Sequence, residues 1–456
     1  MSPLLGLLLA ASIDGGAALR HASALAALGP HPWGSTRNEA AAQYVAAQMR
    51  AAGLAEVELQ RFERHGIQGT NVVGTLRGPG EELLLVGAHH DTAPGAAGAY
   101  DDAGGVGVLL ELARVLAAEP SRTRSIVLVS FDGEEAWATG KGTTAGSRAF
   151  LERLGPRARS LVAAFVIEMC GWKGGTPALQ PIAYADPRTS GGTVVAPGWL
   201  VRAALSGSRA AGAPLALGDP YLSWLYQPAV RAFRVRLYGD DVSFLQAGRP
   251  ALFASDSSFS AFYPDYHKPT DLADRLDPDA LARTAQAALG VVRALDRLPP
   301  GAAEEPHWFA VFGVVVDWPW LLGMGALSVL PGLWASYGGG ALPFAARLLQ
   351  AAGFGVLLWG HPVPALWVFL LPNLLLPFSR RLWAVLLALA PLVSLVAVGA
   401  AAWWRGAVNG VWLAPWQVAV GIPALALAFV GRPGRPASRR SAGRGRGGGL
   451  PRRSRR

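Results

Sequence analysis

The chain has 456 residues, a formal net charge of +10 and a single cysteine, Cys170, which excludes an intramolecular disulfide. The excess positive charge is local, because the last 26 residues contain ten arginines and no acidic side chain. The rest of the chain is neutral overall, so the composition does not indicate a protein that binds nucleic acid.

The N-terminal segment, residues 1–20, contains the apolar stretch PLLGLLLAA with no basic residue before it. This pattern is compatible with a weak signal peptide and equally with the start of an ordinary helix. Residues 35–52 then predict an amphipathic helix that has Ser35 or Thr36 near its N-cap and ends at Gly53.

Strand-like and helix-like segments alternate over the next part of the chain. The runs EELLLVGAHH, SIVLVSFDG and LVAAFVIEM are typical of buried parallel strands, and AGGVGVLLELARVLAA has helical spacing. A closing helix is predicted over residues 277–297. The alternation predicts an α/β domain over residues 21–298, with a central, mostly parallel mixed sheet flanked by helices.

The last third of the chain has a different composition. After a linker at residues 299–307, residues 308–430 hold few charged side chains, which predicts an all-α transmembrane region in contact with membrane lipid. The apolar stretches suggest about five helices. The basic tail, residues 431–456, is expected to be disordered and cytoplasmic, which places the α/β domain outside the cytoplasm. The high Arg and Ala content suggests a bacterial protein, and thus a bacterial inner membrane. Four or six spans would place the α/β domain on the opposite side of the membrane.

Five side chains of metal-binding type lie at the ends of the predicted strands or in loops: His89, Asp101, Glu135, Glu168 and His267. In open α/β sheets, ligands bind beyond the carboxyl ends of the strands. Imidazole and carboxylate are zinc ligands, so this set can bind two Zn²⁺ ions or other divalent metals, with Asp101 as the bridge. Such a pair of ions would activate a shared water and polarise a substrate carbonyl.

Three further residues have candidate supporting roles. Glu134 can act as general base, and Asp91 and Asp271 can fix the ring nitrogens of His89 and His267. Each feature has an ordinary alternative, since adjacent glutamates are usually solvent-exposed and an aspartate before a helix can be an N-cap. The complete set in this order favours a metal site.

Several segments resemble landmarks of the M28 family of zinc metallopeptidases over roughly residues 20–297: GAHHDT, GAYDDAGGVGVLLELAR, FDGEEAW, GDDVSFLQAGRPALF and YHKPTDLADRLDP. The resemblance implies two zinc ions on the five ligands, with Glu134 as the general base. It also implies that Tyr266 donates a hydrogen bond to the oxyanion of the tetrahedral intermediate. A packed aromatic ring is the equal alternative for Tyr266.

Two departures from the family pattern bear on the reaction. Glu168 stands where many family aminopeptidases have Asp, which shifts the place of a substrate's free amine. The segment FDGEEAWATGKGTTAGSRAF also resembles the glutaminyl cyclases, relatives that bind one zinc ion. The sequence therefore predicts a membrane-anchored zinc exopeptidase, an aminopeptidase acting on peptide substrates. A glutaminyl cyclase-like acyltransferase and a catalytically silent binding or transport protein are the alternatives, and the oligomeric state is left open.

Overall fold

The computed structural model describes residues 12–119, 121–135, 144–182, 184–188, 193–218, 239–256, 262–299, 308–311 and 314–317. All of them belong to one compact unit of the chain. Residues 318–456, with most of the predicted membrane region and the whole basic tail, lie outside the described residues. Residues 1–11, which were predicted to be a weak signal peptide or the start of a helix, also lie outside the described residues.

The helices within these ranges are α1 (Gly15–Ala26), α2 (Thr36–Ala51), α3 (Gly104–Ala117), α4 (Ala145–Leu154), α5 (Gly198–Ala210), α6 (Asp241–Gln246) and α7 (Pro278–Asp296). The predicted helices over 35–52 and 277–297 are confirmed as α2 and α7. Ser35 caps α2, because its hydroxyl accepts a hydrogen bond from the backbone N–H of Asn38. Asp277 caps α7 in the same way through the N–H of Asp279.

The strands of the main sheet are β1 (Glu56–Arg64), β2 (Ile67–Leu76), β3 (Leu83–His89), β4 (Ser125–Phe131), β5 (Leu161–Ile167), β6 (Ala178–Leu179), β9 (Ala216–Leu217) and β10 (Ala251–Ser255). Their order is β1-β2-β4-β3-β5-β10-β6-β9. The central strands β4, β3, β5 and β10 run parallel, while β1–β2, β2–β4 and β10–β6 are antiparallel pairs. The prediction of a mixed sheet with flanking helices is confirmed. A short antiparallel pair, β7 (Tyr184–Ala185) and β8 (Thr193–Val194), lies apart from it.

The central strands are buried because helices cover them. Every residue of β3 and β4 is buried, as expected for parallel strands with continuous apolar runs. Helix α3 packs on both strands and against α1 and α7. The contact with α1 requires Gly107, since a Cβ at that position would lie 2.4 Å from the carbonyl oxygen of Ala18.

The segment after the α/β domain differs from the prediction. Strands β11 (Trp308–Val311) and β12 (Val314–Asp317) form an antiparallel pair, so the expected transmembrane helix beginning near residue 308 is wrong for these residues. The valine run VVVD explains the difference, because β-branched side chains favour extended backbone. No helix among the described residues is both long and apolar enough to cross a bilayer. The other predicted spans fall outside the described ranges.

Candidate metal centre

The central strands bring three of the predicted ligand segments to one edge of the sheet. His89 is the last residue of β3, Glu134 and Glu135 follow β4, and Glu168 follows β5. The sheet order β4-β3-β5 makes these strands neighbours, and the parallel register pairs His89 with Phe131 at the end of β4. All of these side chains therefore begin at the carboxyl edge of the sheet, where α/β proteins bind ligands.

Asp101 lies between the two histidines. Its Oδ1 atom is 3.2 Å from His89 Nε2, and its Oδ2 atom is 3.0 Å from His267 Nε2. The side chain is buried, so neither contact is exchanged for water. One carboxylate that reaches both rings is in the position that a bridging ligand needs.

The tightest set of candidate ligands is formed by Asp101, Glu135 and His267. One ligand atom from each lies within 4.8 Å of the others, and Glu135 Oε1 is 2.7 Å from His267 Nε2. Among the described residues this is the one set of that tightness, so the ligand atoms of His89, Asp101 and Glu168 do not all lie within 4.8 Å of one another. Glu168 instead accepts a 3.0 Å hydrogen bond from the backbone N–H of Asp240.

Asp91 holds the segment that carries Glu134. Its carboxylate accepts hydrogen bonds from the backbone N–H groups of Glu134 (3.1 Å) and Glu135 (3.0 Å). Its carbonyl oxygen is 3.0 Å from His89 Nδ1, whereas its carboxylate lies 3.5 Å from the same nitrogen. The His89 ring is thus in hydrogen-bond range of the backbone of Asp91, and the predicted carboxylate contact is longer than an ordinary hydrogen bond.

Asp271 has different partners from those expected. Its carboxylate accepts hydrogen bonds from the backbone N–H groups of Tyr100 (2.9 Å) and Asp101 (3.3 Å) and from the hydroxyl of Tyr263 (3.0 Å). It therefore fixes the backbone of the candidate bridge, whereas the sequence predicted a position behind the His267 ring. The sequence does not show whether an aspartate near a candidate ligand contacts the ring of one ligand or the backbone of another. Only the tertiary contacts distinguish these two roles.

Tyr266 packs directly on a candidate ligand. Its ring stacks on the His267 ring with centroids 3.7 Å apart, and Phe262 meets it edge-on at 5.2 Å. Burial and the nearby carboxylates, with Asp101 first among them, raise the pKa of Tyr266, so its hydroxyl stays protonated and can donate a hydrogen bond. The predicted contact with an oxyanion stays a prediction.

The titratable groups of the pocket shift one another strongly. Burial opposes protonation of His267, but contacts with Asp101 and Glu135 outweigh it and raise its pKa to about 9. For the carboxylates, burial raises the pKa. The pKa of Glu135 rises to about 7, and burial together with Glu168 raises the pKa of Glu134 well above its usual range. Crowded carboxylates of this kind are stabilised in their ionised form by bound cations.

The residues present fit a divalent metal. Among the candidate ligands and the candidate base, Glu134 Oε1 and Glu135 Oε2 are buried and accept no hydrogen bond from the described residues. Buried polar atoms in folded proteins nearly always have a partner, so these oxygens point to a ligand. Imidazole nitrogen and carboxylate oxygen together form a donor set that zinc accepts.

Sequence reasoning missed one residue of this pocket, Asp240. Its side chain is completely buried, and its backbone N–H contacts Glu168. The signal in the sequence is the segment GDDVSFLQAGRPALF, which resembles a family landmark but whose paired aspartates also resemble an ordinary helix start.

Comparisons with known proteins agree with this architecture. Residues 71–292 match Peptidase family M28. The mouse endoplasmic reticulum metallopeptidase 1 is 26% identical over 326 residues, which is 64% of this chain and 32% of the mouse protein. This chain thus spans about a third of the length of that curated relative.

Two solved structures share the fold. The glutaminyl cyclase of Fimbriiglobus ruber superposes with a TM-score of 0.51 at 19% identity, covering 64% of this chain and 99% of the cyclase. The Legionella protein LapA superposes with a TM-score of 0.50 at 15% identity, covering 63% of this chain and 74% of LapA. At these identities the likeness concerns the fold alone. Together, the comparisons show that this part of the chain is similar to the M28 peptidases.

Proposed function

We propose that this chain is a zinc-dependent aminopeptidase that hydrolyses the N-terminal peptide bond of peptide substrates. The observation that carries the proposal is the place of Asp101 between His89 and His267, with Glu135 against the second ring. The same pocket contains Glu134 Oε1, a buried oxygen that accepts no hydrogen bond from the described part of the chain.

The candidate ligands divide into two sets that share Asp101. Asp101, Glu135 and His267 would hold one ion, as their close approach supports. His89 and Glu168 would hold the other together with the shared carboxylate. Zinc bound there would lower the pKa of a water molecule and polarise the scissile carbonyl.

The protein's own groups would supply the proton transfers. Glu134 would take a proton from the attacking water and pass it to the leaving amine. Asp91 supports this role, because its carboxylate fixes the backbone of Glu134 while leaving the Glu134 side chain free of that contact. The hydroxyl of Tyr266 would donate a hydrogen bond to the oxyanion formed from the carbonyl.

A glutaminyl cyclase is the second candidate, and one observation favours it. The set Asp101, Glu135 and His267 is compact by itself, as a site for one metal ion would be. In that reaction the N-terminal amine of a glutamine attacks its own side-chain amide, closes the ring and releases ammonia. The Fimbriiglobus ruber protein, a glutaminyl cyclase by name, shares the fold.

Metal content and substrate range separate the two candidates. The purified chain would be assayed for zinc, for cleavage of a panel of aminoacyl p-nitroanilides, and for cyclisation of a peptide with N-terminal glutamine. Two zinc ions per chain with cleavage that requires a free amine would support the aminopeptidase. One zinc ion per chain, with cyclisation and no cleavage, would exclude the aminopeptidase and support the glutaminyl cyclase.

Glu134→Gln tests the assignment of the base. It should lower kcat about 10²–10⁴-fold while zinc content stays unchanged, since it removes only the proton acceptor. Glu111→Gln is the matched control, because Glu111 is a buried glutamate of α3 that pairs with Arg114 away from the pocket. A Glu134→Gln variant with nearly full activity would exclude this role.

We also propose, from composition alone, that residues 318–430 anchor the protein in a membrane. Alkaline carbonate extraction of cell membranes should leave the full chain in the pellet. Release of the full chain into the supernatant would exclude the membrane anchor and would leave the proposed reaction unaffected.

A further inference from the structure

Asn71 is a buried polar residue to which the reaction proposed above gives no role. It belongs to β2, the neighbour of β4 in the sheet, and its side chain is 0% exposed. Burying an amide without hydrogen bonds costs free energy, so the partners of this amide indicate what the residue does.

The amide of Asn71 joins two places in the chain that are 14 residues apart. Its Oδ1 atom accepts a hydrogen bond from the backbone N–H of Asp132 (3.1 Å), and its Nδ2 atom donates to the carbonyl oxygen of Gly146 (2.9 Å). Nδ2 also donates to Gln60 Oε1 at 3.0 Å. Because the amide oxygen needs a donor and the nitrogen needs acceptors, these partners fix the orientation of the amide. Asp132 directly follows β4 and Gly146 lies at the start of α4, so the candidate base comes between the two joined ends.

Backbone hydrogen bonds between the same two ends continue as far as the base. The N–H of Ala145 donates to the carbonyl oxygen of Gly133 (2.8 Å), and the N–H of Thr144 donates to that of Glu134 (3.3 Å). On the other side, the N–H of Glu134 donates to the carboxylate of Asp91, as described above. The backbone of Glu134 is therefore held through both its carbonyl and its N–H group.

The close approach of the two ends leaves no room for a side chain at residue 146. A Cβ at Gly146 would lie 2.3 Å from Asn71 Oδ1 and 2.3 Å from the carbonyl oxygen of Asp132. Both distances are far shorter than van der Waals contact, so glycine is what allows α4 to begin against the end of β4. The residues at both ends of the contact thus favour it.

We propose that Asn71 is a positioning residue for Glu134, because its amide holds residues 132 and 146 together and thereby fixes the place of the general base. The assignment rests on the role of Glu134 in the proposed function. Asn71 would act through the backbone alone, without touching the substrate. Proton transfer requires the base within hydrogen-bond reach of the attacking water, so loosening these two ends should lower turnover without removing a metal ligand.

Two variants open the contact from opposite sides. Asn71→Ala removes the amide, and Gly146→Ala introduces the Cβ that would overlap it. Ser208→Ala is the matched control, because the buried Ser208 hydroxyl on α5 accepts a 3.1 Å hydrogen bond from the N–H of Leu215, away from the metal centre. For each full-length variant, kcat, KM and zinc content would be measured with the best aminoacyl p-nitroanilide of the panel.

We expect Asn71→Ala and Gly146→Ala to lower kcat about 10- to 100-fold, with KM and zinc content close to the wild-type values. In a Glu134→Gln background, Asn71→Ala should lower the remaining kcat far less, because the base through which it acts is gone. Ser208→Ala should leave kcat unchanged in both backgrounds. Fully additive effects of Asn71→Ala and Glu134→Gln, or loss of zinc from the folded Asn71→Ala chain, would overturn the assignment.

Hydrogen exchange gives a second readout that does not depend on turnover. The amides of Glu134, Thr144 and Ala145 are hydrogen-bonded, so Asn71→Ala should speed their exchange in the metal-free chain. Ser208→Ala should leave the exchange of these amides unchanged. Unchanged exchange in Asn71→Ala would contradict the proposal directly.

The two readouts separate this inference from the function on which it rests. A wild-type chain that neither cleaves nor cyclises any substrate of the panel would refute the proposed function. Faster exchange in Asn71→Ala with full kcat would refute only the positioning of the base. If Asn71→Ala does not fold, Gly146→Ala decides the matter by the same criteria.

Discussion

The helix–sheet core and the acidic pocket at the carboxyl ends of β3 to β5 are both closed to solvent, but burial has opposite consequences in them. Leu84 on β3 and Asp240 in the pocket are each 0% exposed. Burying the leucine contributes about 25 cal/mol per Å² of apolar area, whereas burying a carboxylate without a partner costs free energy. The core is therefore stable without a ligand, whereas pocket oxygens that accept no hydrogen bond from the described residues, such as Glu134 Oε1, would be stabilised by a bound cation.

Removing the shared carboxylate should give the largest effect. Asp101→Ala deletes the contacts to both histidines, so we expect both metal ions and detectable turnover to be lost. Metal analysis of the dialysed variant, beside a wild-type sample treated in the same way, is the measurement. Unchanged metal content would mean that another residue forms the bridge.

A core substitution should separate stability from activity. Leu84→Ala leaves a cavity beneath the helices and should lower the free energy of unfolding by about 2–5 kcal/mol. Zinc content and activity per folded molecule should stay at the wild-type level, which urea denaturation and metal analysis would check. Loss of zinc from the folded variant would contradict the division between core and pocket.

A buried carboxylate that has protein partners should show an intermediate, pH-dependent effect. Asp256 accepts hydrogen bonds from the Tyr100 hydroxyl (2.6 Å) and the Gly171 N–H (2.7 Å), yet burial raises its pKa from 3.8 to about 7. The folded state thus holds this proton more tightly than the unfolded state does. Its contribution to stability is complete below about pH 4 and is lost as the pH rises through 7.

Asp256→Asn removes this titration while keeping the side-chain shape. The difference in free energy of unfolding between variant and wild type should therefore change between pH 4 and pH 8, in favour of the variant at high pH. Urea denaturation across that range measures it. Parallel pH profiles for the two proteins would rule out a raised pKa at this position.

A partly exposed ion pair should show the smallest effect. The guanidinium of Arg293 on α7 contacts Glu119 at 2.6 Å, and both side chains are partly exposed (36% and 27%). Because solvent screens such pairs, Arg293→Ala should change the free energy of unfolding by about 1 kcal/mol or less. A decrease in the free energy of unfolding as large as that of Leu84→Ala would mean that this ion pair contributes as much to stability as a buried core side chain.

The sequence predicts best what local chemistry determines. Strand ends follow from apolar runs and their flanking residues, so the edge position of His89 and Glu168 could be predicted before the structure. The cap at Ser35 is equally local. By contrast, the apolar run beginning at residue 308 was assigned to a helix although it forms strands, because short apolar runs occur in both.

The sequence predicts poorly what depends on distant contacts. Asp271 was expected to support His267, which lies one short segment before it in the sequence, but its hydrogen bonds reach back to Tyr100 and Asp101. Asp240 was given no role because its place in the pocket depends on tertiary contacts, namely its burial and the hydrogen bond from its backbone N–H to Glu168 Oε1. Neither property is visible in the residues that flank these positions.

The hydrogen bond from the Asp101 N–H to Asp271 has a consequence for how this protein folds. It joins residues that are 170 positions apart, and Glu135, Glu168 and His267 come from other separate segments. Contacts between residues so far apart in sequence form late, because the chain loses the entropy of closing a long loop before the contact contributes any stabilisation. Zinc uptake should therefore follow backbone folding in time, and a fluorescent zinc chelator in a refolding experiment would report the last step of assembly.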